Sequence, residues 1–304
     1  TYAVGAAIAA KFLAAHTGNP TFNKETIYTY ISDGGIQEEI SLGAARIAGK
    51  LELDNLIMFY DANEIQLSTE TGDVMNEDTG AKYRAMGWEV FEIDGNDVAQ
   101  IRTAIEAAQK VVGKPTLIIG RCIMGKGALK ADGSSYERSC KTHGAPLGGD
   151  AYVNTVKNLG GDPENPFVIF DDVKEIYTKR AAELEAIAAE RHAEEEEWAK
   201  ANPEMAAKQA QWFSGNAPVV DWSGLTQKDD APTRNASAAC LGILAEQVPN
   251  MIRSSADLCN SDKTDGFLNK TKNLVAGDFS GGFLQAGVAE LTMACCCIGM
   301  ALHG

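Results

Sequence analysis

The sequence is short of positive charge. Lys and Arg number 27 against 42 Asp and Glu in 304 residues, so the formal net charge is −15 at pH 7. A field of this sign repels phosphate backbones and acidic lipid headgroups, which argues against a nucleic-acid partner or an anionic membrane surface. An anionic ligand of this protein therefore needs a local cationic site.

No apolar run approaches the roughly 20 residues of a membrane helix, and the first residues lack the basic region and apolar core of a signal peptide. We therefore expect a soluble protein without a membrane partner. The Ala-rich start without Met and the stop at His303-Gly304 predict a fragment that lacks both natural ends.

A disulfide framework is missing too. The seven cysteines are an odd number, and three of them, Cys295 to Cys297, are consecutive. This spacing suits a reducing cytoplasm, which is the expected location. The run has no CxxC pair and no histidine ladder beside it, so we interpret it as buried packing rather than a metal site.

Hydrophobic residues form 45% of the chain, enough for a sizeable core. In the first half, apolar runs alternate with helical patterns, which predicts an α/β fold: a parallel sheet with helices on both faces. Residues 214–232 are polar and contain Pro and Gly, so we interpret them as a linker. We expect a first domain over residues 1–213 and the truncated beginning of a second, similar α/β domain over residues 233–304.

One strand-helix-strand unit carries the residues that point to chemistry. Asp33-Gly34-Gly35 ends the first predicted strand, and Asn63 follows the next one. Both positions lie just past the carboxyl ends of neighbouring parallel strands, where open α/β sheets bind ligands. A carboxylate, a carboxamide oxygen and a backbone carbonyl of the following turn suit Mg²⁺ with a diphosphate. The two glycines allow close backbone approach.

The tetrapeptide Ser32 to Gly35 is also typical of an ordinary strand-to-helix turn. Across the whole crossover, however, the pattern resembles the thiamine-diphosphate motif Gly-Asp-Gly followed by a later Asn, with Ser32 in place of the first glycine. The resemblance is specifically to transketolase and covers nearly all of the chain. It includes Asp94–Asp97, Gly125–Gly127, Thr142–Gly148, Thr233–Ser237, Ser255–Leu258 and Gly287–Glu290.

The resemblance to transketolase implies thiamine diphosphate and Mg²⁺ as cofactors, and a homodimer in which the cofactor lies between the diphosphate domain of one subunit and the pyrimidine domain of the other. The implied reaction is the reversible transfer of a two-carbon ketol unit from a ketose phosphate such as xylulose 5-phosphate to an aldose phosphate such as ribose 5-phosphate, in the pentose phosphate pathway. This chain alone is expected to be inactive.

The resemblance also implies roles for residues of the first domain. Asp33, Asn63 and the Ile65 carbonyl match the metal ligands, Gly34 matches the diphosphate contact, and Leu67 matches a hydrophobic wall beside the cofactor.

Two further residues match groups that act near the reaction. Glu38 matches a glutamate that links the active sites across the dimer, although an acid in a helix first turn is also favoured by the helix dipole. His143 matches a histidine close to the diphosphate and the donor substrate.

Residues of the second unit complete the implied site. Arg234 and Ser261 match groups that hold the acceptor phosphate, with Asp257 near a substrate hydroxyl. Glu290 matches the carboxyl group that hydrogen-bonds the cofactor's pyrimidine ring. It lies in an apolar stretch with Val288, so we expect desolvation to favour its protonated form. A paired, buried carboxylate is the alternative interpretation.

Three alternative interpretations of the sequence remain. The first is another thiamine-diphosphate enzyme, such as dihydroxyacetone synthase, deoxyxylulose-phosphate synthase or a 2-oxo-acid dehydrogenase, although Arg234 and His143 favour transketolase. The second is an inactive transketolase-like fragment that keeps the fold for assembly. The third, a nucleotide-binding oxidoreductase, is disfavoured because no GxGxxG follows an early strand.

Overall fold

A computed structural model describes residues 1–304. Four strands form the main sheet: β1 (Ile27–Ser32), β2 (Leu56–Ala62), β3 (Glu89–Asp94) and β4 (Thr116–Arg121). They lie in the order β1-β2-β4-β3, and each neighbouring pair is parallel. The predicted parallel sheet is therefore confirmed.

Helices connect and flank these strands. They are α1 (Tyr2–Thr17), α2 (Asp33–Gln37), α3 (Glu39–Lys50), α4 (Thr79–Ala85), α5 (Val98–Ala108), α6 (Gly149–Asn158), α7 (Asp171–Ala201), α8 (Pro203–Trp212), α9 (Thr233–Gln247), α10 (Asp265–Leu268) and α11 (Glu290–His303). None of them combines the length and the apolar character that a membrane-spanning helix needs.

Alternate residues of β2 enter two different cores. Leu56 and Met58 pack in the larger cluster with residues of α1 and α3, whereas Ile57 packs with Ala104 and Ala108 of α5. Successive strand residues point to opposite faces of a sheet. Helices therefore cover both faces, as predicted.

The C-terminal part of the chain forms a second, smaller unit. Strands β5 (Arg253–Ser255) and β6 (Phe283–Gln285) pair in parallel, in a sheet separate from the first. Helix α11 joins this unit to the main core, because Cys296 and Met300 belong to the same cluster as Ile8 of α1. The interpretation of the cysteine run as buried packing holds for Cys296, which is fully buried, while its two neighbours are half-buried.

Candidate functional site

The carboxyl edge of the main sheet brings Asp33 and Asn63 together. Asp33 directly follows β1 and Asn63 directly follows β2, and both are buried, at 2% and 6% exposure. The Oδ2 atom of Asp33 accepts hydrogen bonds of 3.1 Å from the backbone N–H groups of Asn63 and Glu64. The convergence expected from the strand-helix-strand unit is thus present.

The second carboxylate oxygen of Asp33 is held by a residue that sequence reasoning did not identify. The hydroxyl of Tyr60 donates to Asp33 Oδ1 at 2.6 Å. Burial raises the pKa of Asp33 above its usual value, although the three hydrogen bonds act in the opposite direction. The nearby Asp61 adds repulsion. A bound cation compensates a carboxylate in such surroundings, because it favours the ionised form.

The side chain of Asn63 is held on both sides. Its Nδ2 donates to Asp61 Oδ1 at 3.2 Å, and its Oδ1 accepts from the backbone N–H of Ile65 at 3.1 Å. Asp61 also accepts a hydrogen bond of 2.6 Å from the hydroxyl of Tyr30. In the parallel register of the sheet, Asp61 lies opposite Ser32, the last residue of β1.

These residues fit Mg²⁺ with a diphosphate by the chemistry of their donor atoms. Asp33 supplies a carboxylate, Asn63 a carboxamide oxygen and the turn at the buried Ile65 a carbonyl, all hard oxygen donors. A Cβ atom added to Gly34 would meet nothing within 4 Å, so this side of the edge is open. In contrast, Gly35 packs closely, since an added Cβ would lie 2.9 Å from Cγ1 of Ile31.

The other predicted site residues before residue 213 lie on the surface or in a loop. Leu67 is 71% exposed in the turn after Ile65, and Glu38 is exposed at the break between α2 and α3. His143 is half-buried after a short 3-10 helix, and its Nδ1 atom is buried without a hydrogen-bond partner. No hydrogen bond joins these three side chains to Asp33 or Asn63.

The residues predicted to bind the acceptor sugar form a separate group. The Nη1 of Arg234 donates to the backbone carbonyl of Ser261 at 3.3 Å. Ser261 Oγ in turn donates to the carbonyl of Leu258 at 3.0 Å. Asp257 lies at the start of this turn, exposed and in a left-handed backbone conformation with φ of 67°. The structure thus brings Arg234, Ser261 and Asp257 to one surface.

The expected burial of Glu290 is wrong for this chain. Glu290 is the first residue of α11 and is exposed, and its apolar neighbours Val288 and Leu291 are 77% and 63% exposed. The apolar stretch around Glu290 therefore faces outward. Its helix begins beside α3, because Thr292 Oγ1 donates to the carbonyl of Ile40 at 3.4 Å. The elements that carry Glu38 and Glu290 thus lie side by side.

The fold is an α/β domain with a candidate ligand site at the carboxyl ends of its parallel strands. Residues 1–218 match the family model described as "Transketolase, thiamine diphosphate binding domain". The chain belongs to the transketolase family and carries its thiamine diphosphate binding domain.

Known relatives agree with this assignment. A probable transketolase of Streptococcus pneumoniae is 35% identical over 314 residues, which cover 99% of this chain and 46% of the relative. Dihydroxyacetone synthase of Pichia angusta is 32% identical over 99% of this chain and 44% of the relative. A crystal structure of Pichia stipitis transketolase in complex with sedoheptulose 7-phosphate has a TM-score of 0.89 at 30% identity, over 100% of this chain and 46% of that one. The chain thus spans about half the length of the relatives it matches.

Proposed function

We propose that the protein acts as a transketolase, transferring a two-carbon ketol unit reversibly from a ketose phosphate such as xylulose 5-phosphate to an aldose phosphate such as ribose 5-phosphate. This reaction belongs to the pentose phosphate pathway. Family membership supports the proposal, as does the sugar-phosphate complex of the Pichia stipitis enzyme. The observation that carries it is the hydrogen bond from the Asn63 backbone to Asp33 Oδ2, which unites the two motif residues.

In this proposal Asp33, Asn63 and the Ile65 carbonyl hold Mg²⁺, Gly34 admits the diphosphate, and Leu67 forms a wall beside the cofactor. When bound, thiamine diphosphate would supply the carbanion chemistry that cleavage and transfer of a ketol unit require. The protein side chains orient the reactants and hold protons around it.

The remaining residues act on the substrates and on proton positions. Glu290 holds a proton against the pyrimidine ring, Glu38 links the two active sites, and His143 lies near the donor substrate. The acceptor phosphate is bound by Arg234 and Ser261, with Asp257 at a substrate hydroxyl.

Two features support a homodimer in the cytoplasm as the working form. The apolar stretch beside Glu290 is exposed in the single chain, as a surface covered by a partner would be. The free cysteines suit a reducing compartment. We further propose a diphosphate-binding domain over residues 1–213, a linker over 214–232 and the beginning of a pyrimidine-binding domain from 233 to 304. The end of the family match at residue 218 supports the first boundary.

Calorimetry tests the cofactor site. Thiamine diphosphate with Mg²⁺ is titrated into the 304-residue chain, into the full-length protein and into their Asp33→Asn variants. Asn keeps an acceptor oxygen for the two backbone N–H groups but removes the anionic metal ligand, so binding should be lost. Asp54→Asn is the matched control, because it removes the same charge at the opposite end of β2. Wild-type full-length protein that gives no binding heat would refute the cofactor proposal.

The dihydroxyacetone synthase relative supports a second candidate function. A two-carbon ketol unit gives three-carbon dihydroxyacetone only when the acceptor is a one-carbon aldehyde. Comparison of kcat/KM for ribose 5-phosphate and formaldehyde in the full-length protein separates the two functions. A preference for ribose 5-phosphate that falls in Arg234→Ala supports transketolase, whereas a preference for formaldehyde supports the second candidate.

A further inference from the structure

Asp61 is the centre of a small polar network beside the proposed metal ligands. Its Oδ2 accepts from Tyr30 at 2.6 Å, and its Oδ1 accepts from Asn63 Nδ2 at 3.2 Å. The ring of Tyr30 stacks on Phe59, with centroids 6.2 Å apart and planes at 5°. Asp61 is therefore held in place from more than one side.

We propose that Asp61 is a positioning residue that decides which end of the Asn63 carboxamide is presented to the metal ion. The proposal rests on the proposed function, since it assumes that Asn63 binds Mg²⁺ through Oδ1. An ionised carboxylate can only accept hydrogen bonds. Asp61 must therefore face the Nδ2 end of Asn63.

The other side of Asn63 imposes the same choice. The backbone N–H of Ile65 is a donor and lies 3.1 Å from Asn63 Oδ1. A flipped carboxamide would set Nδ2 against this N–H and Oδ1 against the Asp61 carboxylate, so both contacts would become repulsive. Only the carboxamide oxygen can bind a cation. One acceptor and one donor thus fix a single orientation of the ligand.

Asp61 also adds a second negative charge next to Asp33. Partners behind a metal ligand typically change metal affinity by roughly 10–100-fold when they are removed. Substitution by Ala removes both the charge and the orientation. Substitution by Asn removes the charge alone, because its oxygen can still accept from Asn63 Nδ2 and its amide group can donate to the Tyr30 oxygen.

The test uses full-length protein with saturating thiamine diphosphate and Mn²⁺ as the probe, followed by electron paramagnetic resonance. We expect the Mn²⁺ Kd to rise about 10–100-fold in Asp61→Ala and less in Asp61→Asn, with Asp54→Asn equal to wild type. The proposal would be overturned if the Mn²⁺ Kd of both Asp61→Ala and Asp61→Asn stayed within about twofold of the wild-type value, since removing such partners is expected to change the affinity by more. Absence of Mn²⁺ binding in the wild type would instead refute the proposed function.

A second measurement needs no bound metal. In wild-type protein with ¹⁵N-labelled asparagine, the side-chain N–H signals of Asn63, assigned by their loss in Asn63→Ala, should exchange slowly with water because Nδ2 is hydrogen-bonded. Asp61→Ala should speed this exchange, and Asp61→Asn should restore slow exchange. Thermal unfolding checks that each variant is folded. If Asp61→Ala does not fold, Asp61→Leu, which also lacks an acceptor but keeps a similar volume, replaces it in both measurements. Equal exchange in the wild type and Asp61→Ala would contradict the positioning role.

Discussion

At the residue scale, two buried or half-buried carboxylates at opposite ends of the main sheet have opposite pKa shifts. Burial raises the pKa of Asp33 at the carboxyl edge. Burial acts in the same direction on Asp54 at the amino edge, but hydrogen bonds from Lys11 Nζ at 2.6 Å and the Gly113 N–H at 3.0 Å outweigh it, so the pKa of Asp54 is lowered. The ionised Asp54 carboxylate stabilises the fold through its pairing with Lys11, whereas Asp33 has no cationic partner within the chain.

The two carboxylates predict opposite effects of substitution by Asn on stability. The pKa of Asp33 is higher in the folded state than in the unfolded state. The favourable contribution of Asp33 to the free energy of unfolding is therefore complete below the unfolded-state pKa and is lost as the pH rises through the folded-state pKa. Asp33→Asn avoids this loss and should stabilise the metal-free chain by about 0.5–2 kcal/mol at pH 7. Asp54 contributes above the unfolded pKa and loses this contribution as pH falls, so Asp54→Asn should cost about 1 kcal/mol at pH 7.

Urea denaturation of both variants between pH 3 and pH 8, without divalent cations, measures these effects. The gain of Asp33→Asn should shrink toward low pH, and so should the cost of Asp54→Asn. A loss of stability at pH 7 in Asp33→Asn would contradict the view that the Asp33 carboxylate is retained for ligand binding.

Backbone strain at the site gives another prediction at this scale. Glu64 has a φ of 68° while its N–H donates to Asp33. A non-glycine residue in this left-handed region carries a conformational cost of roughly 1–2 kcal/mol. Backbone strain of this kind is found most often at ligand sites. Glu64→Gly should therefore raise the free energy of unfolding by up to about 1 kcal/mol, the rest being lost to unfolded-chain entropy. Glu64→Val should lower it by more than about 1 kcal/mol.

Urea denaturation at pH 7 measures this series, and Glu52 supplies the control. Its φ is 52°, also left-handed, but it lies outside the site. Glu52→Gly should give a similar gain without changing cofactor affinity. Equal stability of the Gly and Val variants at position 64 would show that the backbone conformation carries no strain.

The proximity of Asp33 and Asn63 was predictable from the sequence, whereas the residues that hold their side chains were not. Asp33 and Asn63 follow two apolar runs, and parallel strands must end at one edge. The contacts of Tyr60 and Asp61 depend on side-chain directions, which single-sequence patterns do not give. The burial expected for Glu290 is not provided within the single chain, because Val288 and Leu291 point to the surface rather than over the carboxylate.

At the element scale, the helical segment between β1 and β2 is divided in two. Helix α2 ends at Gln37 and α3 begins at Glu39, because Glu38 has an extended backbone with φ of −63° and ψ of 130°. No Pro lies there to signal a break. The break sets the direction of α3, whose middle then packs against α11.

This packing requires a glycine inside α3. A Cβ atom on Gly43 would lie 2.5 Å from Oγ1 and 3.3 Å from Cβ of the buried Thr292. Ala in a helix interior is normally better than Gly by about 0.5–1 kcal/mol, but overpacking costs about 1–3 kcal/mol. Gly43→Ala should therefore lower the free energy of unfolding by about 1–2 kcal/mol.

A double-mutant cycle in urea tests this contact. Thr292→Ala removes the hydroxyl and should recover about 1 kcal/mol or more of the Gly43→Ala cost as a coupling energy. Thr292→Ser keeps the hydroxyl and should recover less. Additive effects in the cycle would show that the two helices can move apart freely.

Helix α7 carries a run of four glutamates, Glu194 to Glu197. Glu196 and Glu197 are exposed, as expected for a solvated helix face. Glu194, however, pairs with Lys24, and Glu195 accepts from Asn19 at 3.3 Å. These partners lie far away in sequence, so the pattern of α7 alone could not predict them.

At the scale of the whole molecule, two glycines let the second unit dock closely on the first. A Cβ atom on Gly5 of α1 would strike the backbone of Cys296, and one on Gly299 of α11 would strike the backbone of Tyr2. The nearest atoms belong to the main chain, so they cannot move away by a change of rotamer, as a side chain could. The crossing of α1 and α11 therefore depends on both glycines, and Cys296 and Met300 reach the main core only through it.

Gly299→Ala should push α11 away from α1 and lower the free energy of unfolding of the whole chain by about 1–3 kcal/mol. Because α11 shares the core of the main sheet, the loss should appear in both units at once. In a background in which Trp198, Trp212 and Trp222 are replaced by Phe, urea unfolding followed by fluorescence of the buried Trp88 and by circular dichroism should then shift as one coincident transition. Gly242 of α9 is the matched control, since its added Cβ would lie 3.5 Å from the nearest atom, the Gly266 carbonyl oxygen. Gly242→Ala should be neutral or stabilising by up to about 1 kcal/mol. If Gly299→Ala leaves the Trp88 transition unchanged, the second unit is a separate folding unit, and the shared core does not couple the proposed diphosphate site to the elements that carry Glu290.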